Sequence, residues 1–295
     1  MIQDSMRVHA PGKPLGQCAA VLRTLGFPSA QSLYLTSNGL TSTIVILVEP
    51  RDSALVRRRT IPGNARASVK AWGPAYSIFR NHVAAYQTGA QTFGYHAVRD
   101  TAWEHQIMRS HRKDSAVVRS IWKFLESNRN RSTTNLAIRT LLHDSNVENR
   151  IVAAAILGPQ RGRTQVWYAL VKGLRDSDER VAGASEMALR SLLAGSQSPV
   201  DWRPAVADVR AILDGTNVLA LRTTLVALTK TKIDPALASV LLRQNGGLVT
   251  DLLASNSQHH RSAAHEFLVQ IAGKDLGLSP DSWKRWLSEI RARAV

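Results

Sequence analysis

The sequence predicts an all-α fold, an α-solenoid of stacked antiparallel helix hairpins preceded by a less regular N-terminal element. The first observation is an internal repeat, because Leu142-His143-Asp144-Ser145 recurs thirty-two positions later as Leu174-Arg175-Asp176-Ser177. The second is that an arginine, Arg150 or Arg180, follows each copy and leads into a short apolar segment rich in alanine. Repeats with a period in the thirties or low forties are typical of arrays in which neighbouring helix pairs bury their apolar faces against one another.

The second copy shows best how one hairpin is built. A first helix is expected from Thr164 to Leu174, and it ends at the acidic turn Asp176-Ser177-Asp178. A side chain of this turn can cap the next helix by accepting a hydrogen bond from an unpaired backbone N–H. The next helix carries one apolar stripe at helical spacing, formed by Val181, Ala184, Ala188 and Leu192. We therefore predict a right-handed stack of helix hairpins, with no strand, over residues 132–290.

Two weaker copies follow, one at Asp214 with Arg222 and one at Ser255 with Arg261. The pattern Leu-x-Asp, a short spacer and Val/Arg-x-x-Ala-Ala resembles HEAT repeats, an armadillo-like class, and in particular the short bacterial type related to the phycobilin-lyase repeats. The resemblance covers the second half of the chain and implies that charged turn residues tie adjacent repeats together. The residues concerned are Asp144, Asp176, Arg150, Arg180, Arg222 and Arg261.

The C-terminal segment resembles the end of many bacterial HEAT-repeat proteins, in which a turn containing glycine leads into a last helix rich in tryptophan. Here Leu276-Gly277 precedes a predicted helix that carries Trp283 and Trp286. Residues three apart lie on one face of a helix, so both indoles can cover the last hairpin together. We expect this helix to close the array.

A similar pattern occurs earlier, where Phe93-Gly94 is followed at a distance by Ile121-Trp122. It predicts a helical block at residues 91–130 with its own closing helix, followed by the repeat array at 131–295. Residues 1–90 form the third unit, an irregular N-terminal element or a set of strongly diverged repeats.

Within this N-terminal element, one segment has the pattern of a β-hairpin. Residues 33–37 and 40–48 are rich in β-branched and apolar side chains, and Asn38-Gly39 between them is typical of a tight turn. Four prolines at positions 28, 50, 62 and 74 exclude a long helix across the region.

The charge of the chain is its compositional outlier. It has 38 Lys and Arg against 22 Asp and Glu, a net charge of +16. Residues 1–114 carry 14 basic and 6 acidic side chains, and residues 115–295 carry 24 and 16, so the excess is spread evenly. A diffusely positive surface favours nucleic acid, anionic lipid or an acidic protein partner, although a compositional preference for arginine would give the same total.

Two basic clusters are the candidates for polyanion binding, because arginine and lysine side chains grip phosphates. The alternative is that these clusters are simply solvated surface. The candidate residues are Arg57, Arg58, Arg59, Arg109, Arg112 and Lys113.

No pattern in the chain indicates catalysis, a metal or a cofactor. Cys18 is the single cysteine, which excludes an intrachain disulfide and a site of several cysteines. The pair His259-His260 is separated from His265 by five or six positions, whereas a two-histidine zinc helix needs four. There is no phosphate-binding glycine loop and no nucleophile elbow. We therefore expect no catalytic residues, no metal site and no cofactor.

The longest apolar run, Ile44 to Val48, is too short to span a bilayer. Residues 1–20 lack the continuous apolar core of a signal peptide. We expect a cytoplasmic protein, although an export signal lost through a mis-assigned start codon would leave the same pattern.

Three functions fit these observations. The leading one is a non-catalytic scaffold for protein–protein interaction, with an oligomeric state that the sequence leaves open. The alternative is a nucleic-acid-binding HEAT-like protein, and one form of it is a base-excision enzyme resembling DNA glycosylases. The aromatic residues near the hairpins that suggest this form are Trp167, Tyr168 and Trp202. A chaperone for a tetrapyrrole chromophore is the third, by family analogy alone. Basic side chains along the inner helices would favour the second function, whereas scattered ones would favour the first.

Overall fold

The computed structural model shows a mainly helical protein. The residues that the structure describes are 18–27, 30–37, 40–46, 56–61, 72–82, 89–90, 93, 109, 115–194 and 197–292. The α-helices are α1 (Cys18–Thr24), α2 (Gly73–Asn81), α3 (Ser115–Ser127), α4 (Arg131–His143), α5 (Val147–Leu157), α6 (Thr164–Gly173), α7 (Glu179–Leu192), α8 (Val206–Leu213), α9 (Val218–Lys230), α10 (Pro235–Asn245), α11 (Gly247–Asp251), α12 (Gln258–Ala272) and α13 (Pro280–Ala292). Two short 3-10 turns, Arg203–Ala205 and Leu252–Ala254, lead into α8 and follow α11.

From α4 onward the helices form consecutive pairs in two layers. The pairs are α4 with α5, α6 with α7, α8 with α9, and α10 with α12. The first helices α4, α6, α8 and α10 contact one another in chain order and are followed by α13, and we call them the first layer. The second helices α5, α7, α9 and α12 also contact one another in order and form the second layer. Within the described part of residues 132–290 there is no strand.

Small residues allow the helices of this array to approach closely. In α5, the residues from Val152 to Ala155 are all buried. Gly158 follows α5, and a Cβ at that position would lie 3.2 Å from the Cα of Ala188 in α7. A Cβ at Gly173 would collide with Ser185. Close packing of this kind leaves no room for even one added methyl group without a shift of the neighbouring helix.

The described N-terminal part contains a short helix and two strands. Strand β1 (Gln31–Ser37) pairs antiparallel with β2 (Leu40–Ile46), in a register that places Gln31 opposite Ile46. Helix α1 contacts both strands. Arg23 of α1 pairs with Glu179 at the start of α7, with its Nη1 atom 2.8 Å from Oε1. This ion pair connects the N-terminal part to the helix array.

Tryptophans are buried in both helical regions that the sequence singles out. Trp283 and Trp286 of α13 are buried and meet edge to face, with ring centroids 5.7 Å apart. Helix α13 contacts α10 and α11, and the indole of Trp283 donates to the carbonyl of Gly277 at 2.7 Å. In α3, buried Trp122 donates to the carbonyl of Gly89 at 3.1 Å. The indole N–H groups of Trp283 and Trp122 are therefore satisfied while their rings cover apolar surface.

Among the described helices, none combines the length and the apolar character needed to cross a membrane.

Candidate functional site: an acidic row occupied by arginines

Three buried carboxylates lie at the turns of successive helix pairs, and we call Asp144, Asp176 and Asp214 the acidic turn row. Their residues are 1%, 0% and 4% exposed. Asp144 and Asp214 are the C-caps of α4 and α8, and Asp176 follows the end of α6. A helix C-terminus carries partial negative charge, so a carboxylate buried there needs strong hydrogen-bond donors or a cation.

Two of these aspartates, Asp144 and Asp176, also build their turns. The carboxylate of Asp144 accepts from the backbone N–H of Asn146 at 2.7 Å, and that of Asp176 accepts from Asp178 at 2.9 Å. Asn146 and Asp178 then cap α5 and α7 through the N–H groups of Glu148 and Arg180. An aspartate that folds back on the turn thus positions the capping residue two places later.

Arg150 ties the first pair to the second. Its Nε and Nη2 atoms both lie 3.0 Å from the carboxylate of Asp176, while Nη1 donates to the carbonyls of Asp144 and Ser145 at 2.9 and 3.2 Å. Both side chains of the ion pair are buried. This agrees with what the resemblance implies for Arg150, a charged turn residue that ties adjacent repeats together, and here its guanidinium bridges an aspartate and turn carbonyls.

The equivalent role predicted for Arg180 is wrong. Its side chain is 57% exposed and pairs with Asp178 of its own turn at 2.8 Å. Arg180 is the second residue of α7, whereas Arg150 is the fourth residue of α5. The structural counterpart of Arg150 is Arg261, the fourth residue of α12, which donates to the turn carbonyl of Ser255 at 2.6 Å.

Residues 56–61, which we call the arginine strap, contact the acidic turn row at Asp176 and Asp214. The strap runs beside the turns, and Arg59 pairs with Asp176 as a short parallel bridge. The backbone N–H of Arg59 donates to the carbonyl of Arg175 at 2.9 Å, and that of Arg57 donates to the Thr216 hydroxyl at 3.0 Å. Arg175 returns a bond of 2.7 Å to the carbonyl of Arg57. The strap is therefore held by main-chain hydrogen bonds as well as by its side chains.

Arg59 is the buried anchor of the strap. Its guanidinium forms an ion pair with Asp176 and donates to the carbonyls of Leu141 and Leu142 at 2.7 and 3.3 Å. Burial lowers the pKa of Arg59, although Asp176 opposes the shift. Asp176 consequently receives two arginines, Arg59 from the strap and Arg150 from α5.

Arg57 holds the other end of the strap less completely. It pairs with Asp214, but its side chain stays 42% exposed while that of Asp214 is 1% exposed. The Oδ1 atom of Asp214 is buried and has no hydrogen-bond partner among the described residues. One oxygen of a buried carboxylate is thus left for a further donor.

Arg58 points to neither aspartate side chain but donates to the carbonyl of Asp176 at 3.1 Å. Burial, with a smaller effect from nearby Arg23, lowers the pKa of Arg58 to about 10. Its Nε and Nη2 atoms are buried without a partner in the described part of the chain.

Four of the six polyanion candidates fall among the residues that the structure describes. The first three, residues 57–59, contact the array itself, and Arg59 is buried. Arg109 is an exposed helical residue, and Arg112 and Lys113 lie outside the described residues. Polyanion binding by these residues stays a prediction. Sequence reasoning does not find the partners of residues 57–59, because Asp176 and Asp214 lie more than a hundred positions away and no local pattern connects them.

The aromatic residues associated with the base-excision alternative form part of the core. Trp167 and Trp202 are buried, and their rings meet edge to face with centroids 6.1 Å apart. The indole of Trp202 donates to the Thr231 hydroxyl at 2.9 Å. Tyr168 donates to the carbonyl of Asp201. The two tryptophans are thus packed against each other and do not line an open cleft that would accept a base.

His260 and His265 make local contacts. His265 pairs with Asp275 at 2.7 Å and meets the ring of Trp283 edge to face. His260 lies 3.3 Å from the Ser255 hydroxyl, and burial, with nearby Arg222 and His259, lowers its pKa. Across the described ranges, no group of three or more His, Cys, Asp or Glu residues is arranged to hold a metal ion.

Exposed basic side chains do not follow the second layer. In the described helices of the first layer, exposed basic residues lie on α4 (Arg131 and Arg139) and on α13 (Lys284 and Arg285). In the second layer the exposed ones, Arg180 and Lys230, lie at helix ends. Within the second layer, Arg190 pairs with Glu186 at 2.6 Å.

Comparison of this chain with protein-family models, with curated proteins and with solved structures finds no match in any of the three.

Proposed function

We propose that this chain is a HEAT-like α-solenoid that serves as a non-catalytic scaffold for protein–protein interaction. The observation that carries the proposal is the arginine strap. Its backbone and side chains contact the turns of three successive helix pairs through Leu141, Asp176 and Asp214. An array that holds an extended polypeptide in this way has the chemistry needed to bind segments of other proteins.

The distribution of charge supports a scaffold over a dedicated nucleic-acid binder. A binder that uses the second layer needs a continuous basic stripe along it, because phosphate contacts supply most of the affinity. The described second-layer helices instead present exposed basic residues at their ends and an Arg190–Glu186 pair in between.

The second layer also offers a surface that a partner can approach closely. Gly183 lies inside α7 and is half-buried, and a Cβ there would meet no atom within 4 Å. Glycine inside a helix costs about 1 kcal/mol relative to alanine, and no packing contact of Gly183 offsets that cost. Partly exposed Met187 and Val226 lie on the same layer. We propose this face of α7 and α9 as the protein-binding surface of the scaffold.

Affinity purification of the full-length chain from its native host, with and without nuclease, tests the proposal. Two variants of equal charge change test whether partners bind the second layer. They are Gly183→Glu on the second layer and Val240→Glu at an exposed position of α10 in the first layer. We expect protein partners that survive nuclease and are lost with Gly183→Glu but not with Val240→Glu. Partners that disappear with nuclease would support the nucleic-acid alternative instead.

A salt titration with a fluorescent oligonucleotide separates the same two functions in vitro. With a net charge of +16, the chain is expected to retain DNA or RNA at low salt. Without base contacts, that retention disappears near physiological ionic strength. Tight binding that persists at physiological salt, or release of a modified base from alkylated DNA, would contradict the scaffold proposal.

A further inference from the structure

We propose that the part of the acidic turn row formed by Asp176 and Asp214 is a binding site for an extended segment of a partner protein with two arginines separated by one residue. In this chain the arginine strap occupies that site. The inference rests on the proposed scaffold function and names the partner chemistry of one of its surfaces.

The first step is that two buried carboxylates of the site need cations as partners. Asp176 and Asp214 are buried at the ends of α6 and α8, where the helix dipole adds to their negative charge. Asp144 differs, because amide groups of Asn146 and Asn149 donate to its carboxylate. The cation-binding part of the row is therefore Asp176 and Asp214.

The second step is the preference for arginine over lysine. Arg59 uses Nε, Nη1 and Nη2 together, toward Asp176 and the carbonyls of Leu141 and Leu142. A guanidinium presents these donors in one rigid plane, whereas an ammonium group is a single point with three donors. Lysine at this position would leave turn carbonyls without their donor.

The third step is the spacing. In an extended segment, residues i and i+2 point to the same side and lie about 7 Å apart. Arg57 and Arg59 are such a pair, and they meet Asp214 and Asp176 of successive turns. Backbone bonds to Thr216 and Arg175 fix the direction of the segment. The site therefore selects a segment whose two arginines are two positions apart and whose chain runs in this direction.

The fourth step is exchange at the Asp214 end. Arg57 is half exposed, and burial together with the positive charges of Arg175 and Arg210 lowers its pKa. The Oδ1 atom of Asp214 is buried without a donor, so the strap does not satisfy this carboxylate. An arginine that approaches with both of its terminal nitrogens can occupy both oxygens, which gives an incoming segment an advantage at this end.

The experiment measures binding of a labelled peptide with the sequence of residues 55–61 to the full-length chain. The double variant Arg57→Ala with Arg59→Ala removes both ion pairs of the strap and is called the released chain, and the wild-type chain is the occupied reference. We expect the released chain to bind the peptide at least about tenfold more tightly than the wild type does, because Asp176 and Asp214 have lost the strap arginines and, among the described contacts, only main-chain hydrogen bonds and Arg58 still hold the strap. A charge-assisted hydrogen bond contributes about 1.5–3 kcal/mol, or roughly ten- to a hundredfold in affinity.

Matched controls test each step. In the released background, Asp214→Asn should weaken binding about tenfold, whereas Asp201→Asn, which makes the same charge change at an exposed pair with Arg203, should not. Peptides with lysine at both positions, or with the arginines three residues apart, should bind at least about tenfold more weakly.

Absence of binding to the released chain, equal binding to the wild type, or equal binding of the arginine and lysine peptides would overturn the proposal. If the double variant does not fold, Arg57→Ala keeps the Arg59 anchor and frees only the Asp214 end of the site. Arg57→Ala should then bind the same peptide more tightly than the wild type does and lose this gain when Asp214→Asn is added, and equal binding to Arg57→Ala and wild type would overturn the proposal. Nuclease-resistant partners that are captured equally by Asp214→Asn and wild type, without peptide binding, would leave the scaffold function standing and remove only this site.

Discussion

Arg150 and Arg180 follow the same Asp-Ser turn in two neighbouring helix pairs, yet they do different things. Arg150 is buried and joins Asp176 of the next pair to the carbonyls of its own turn. Arg180 is exposed and pairs with Asp178 beside it. The first arginine connects two units of the array, and the second acts inside one unit.

The difference follows from the position of each arginine in its helix. Side chains of an α-helix lean toward its N-terminus, so a residue one turn into the helix reaches back over the preceding loop. Arg150 and Arg261 are fourth residues and both bind turn carbonyls. Arg180, as a second residue, lies level with the cap. Counting from the helix start, and not from the turn motif, distinguishes a linking arginine from a local one.

Among the arginines compared, replacement of Arg150 is expected to lower the free energy of unfolding the most. Arg150→Ala leaves Arg59 as the one described cation paired with Asp176, and it removes the donor to the carbonyls of Asp144 and Ser145. Loss of one partner of a buried ion pair costs about 3–5 kcal/mol, and we expect about 3 because Arg59 remains. Urea unfolding followed by circular dichroism measures the change. An effect below about 1 kcal/mol would show that Arg150 does not connect the pairs.

Arg59 of the strap should stabilise the fold less than Arg150 does, although both pair with Asp176. We expect Arg59→Ala to lower the free energy of unfolding by about 2 kcal/mol, because Arg150 still pairs with Asp176. The two substitutions should not be additive, since both act on Asp176. A double-mutant cycle of Arg59→Ala and Arg150→Ala measures the coupling. Strict additivity would mean that the two arginines act independently.

Much of the array follows from local patterns. The first helix of the second pair is predicted from Thr164 to Leu174, and the structure has Thr164–Gly173. The spacing of Trp283 and Trp286 correctly places both indoles in the buried face of the last helix. Even the error at Arg180 has a signal in the sequence, because the arginine follows the aspartate by six positions in the first copy and by four in the second.

The candidate site could not be obtained in this way. Arg59 and Asp176 are 117 positions apart, and no local period connects them. Sequence reasoning identifies the arginines as unusual and the aspartates as repeated, but pairing them requires knowing that the strap crosses the turns. Periodicity predicts which face of a helix is buried and does not predict which distant segment covers a turn.

Arg57 is expected to matter less than Arg59 for stability. Its ion pair with Asp214 is half exposed on the arginine side, so Arg57→Ala should cost about 1 kcal/mol. The opening free energy of the strap, measured by hydrogen exchange of its backbone amides, should fall more than the global free energy of unfolding does, because the free end of the strap is released first. Protection that stays equal to that of the wild type would contradict a weakly held end.

The smallest effect is expected at Arg180 and is best measured by pH. Burial alone would raise the pKa of Asp178, but hydrogen bonds and charge from Arg180 outweigh it, so the pKa lies below the ordinary value. A lowered carboxyl pKa stabilises the fold above the pKa of the unfolded chain, about 4, and this stability is lost as the pH falls through the folded pKa. Solvent screens this pair, because the Arg180 side chain is exposed. Arg180→Ala should therefore lower the free energy of unfolding by less than about 0.5 kcal/mol near neutral pH, and it should have no effect below the folded pKa of Asp178.

Carboxyl titration of Asp178 by NMR checks the cause directly, and its pKa should rise toward the ordinary value in Arg180→Ala. The matched reference is Arg203→Ala, which removes an equally local but more exposed pair with Asp201. A loss for Arg180→Ala as large as that for Arg150→Ala, at any pH above 5, would mean that Arg180 links helix pairs after all. In that case the position of an arginine within its helix would not explain why the two differ.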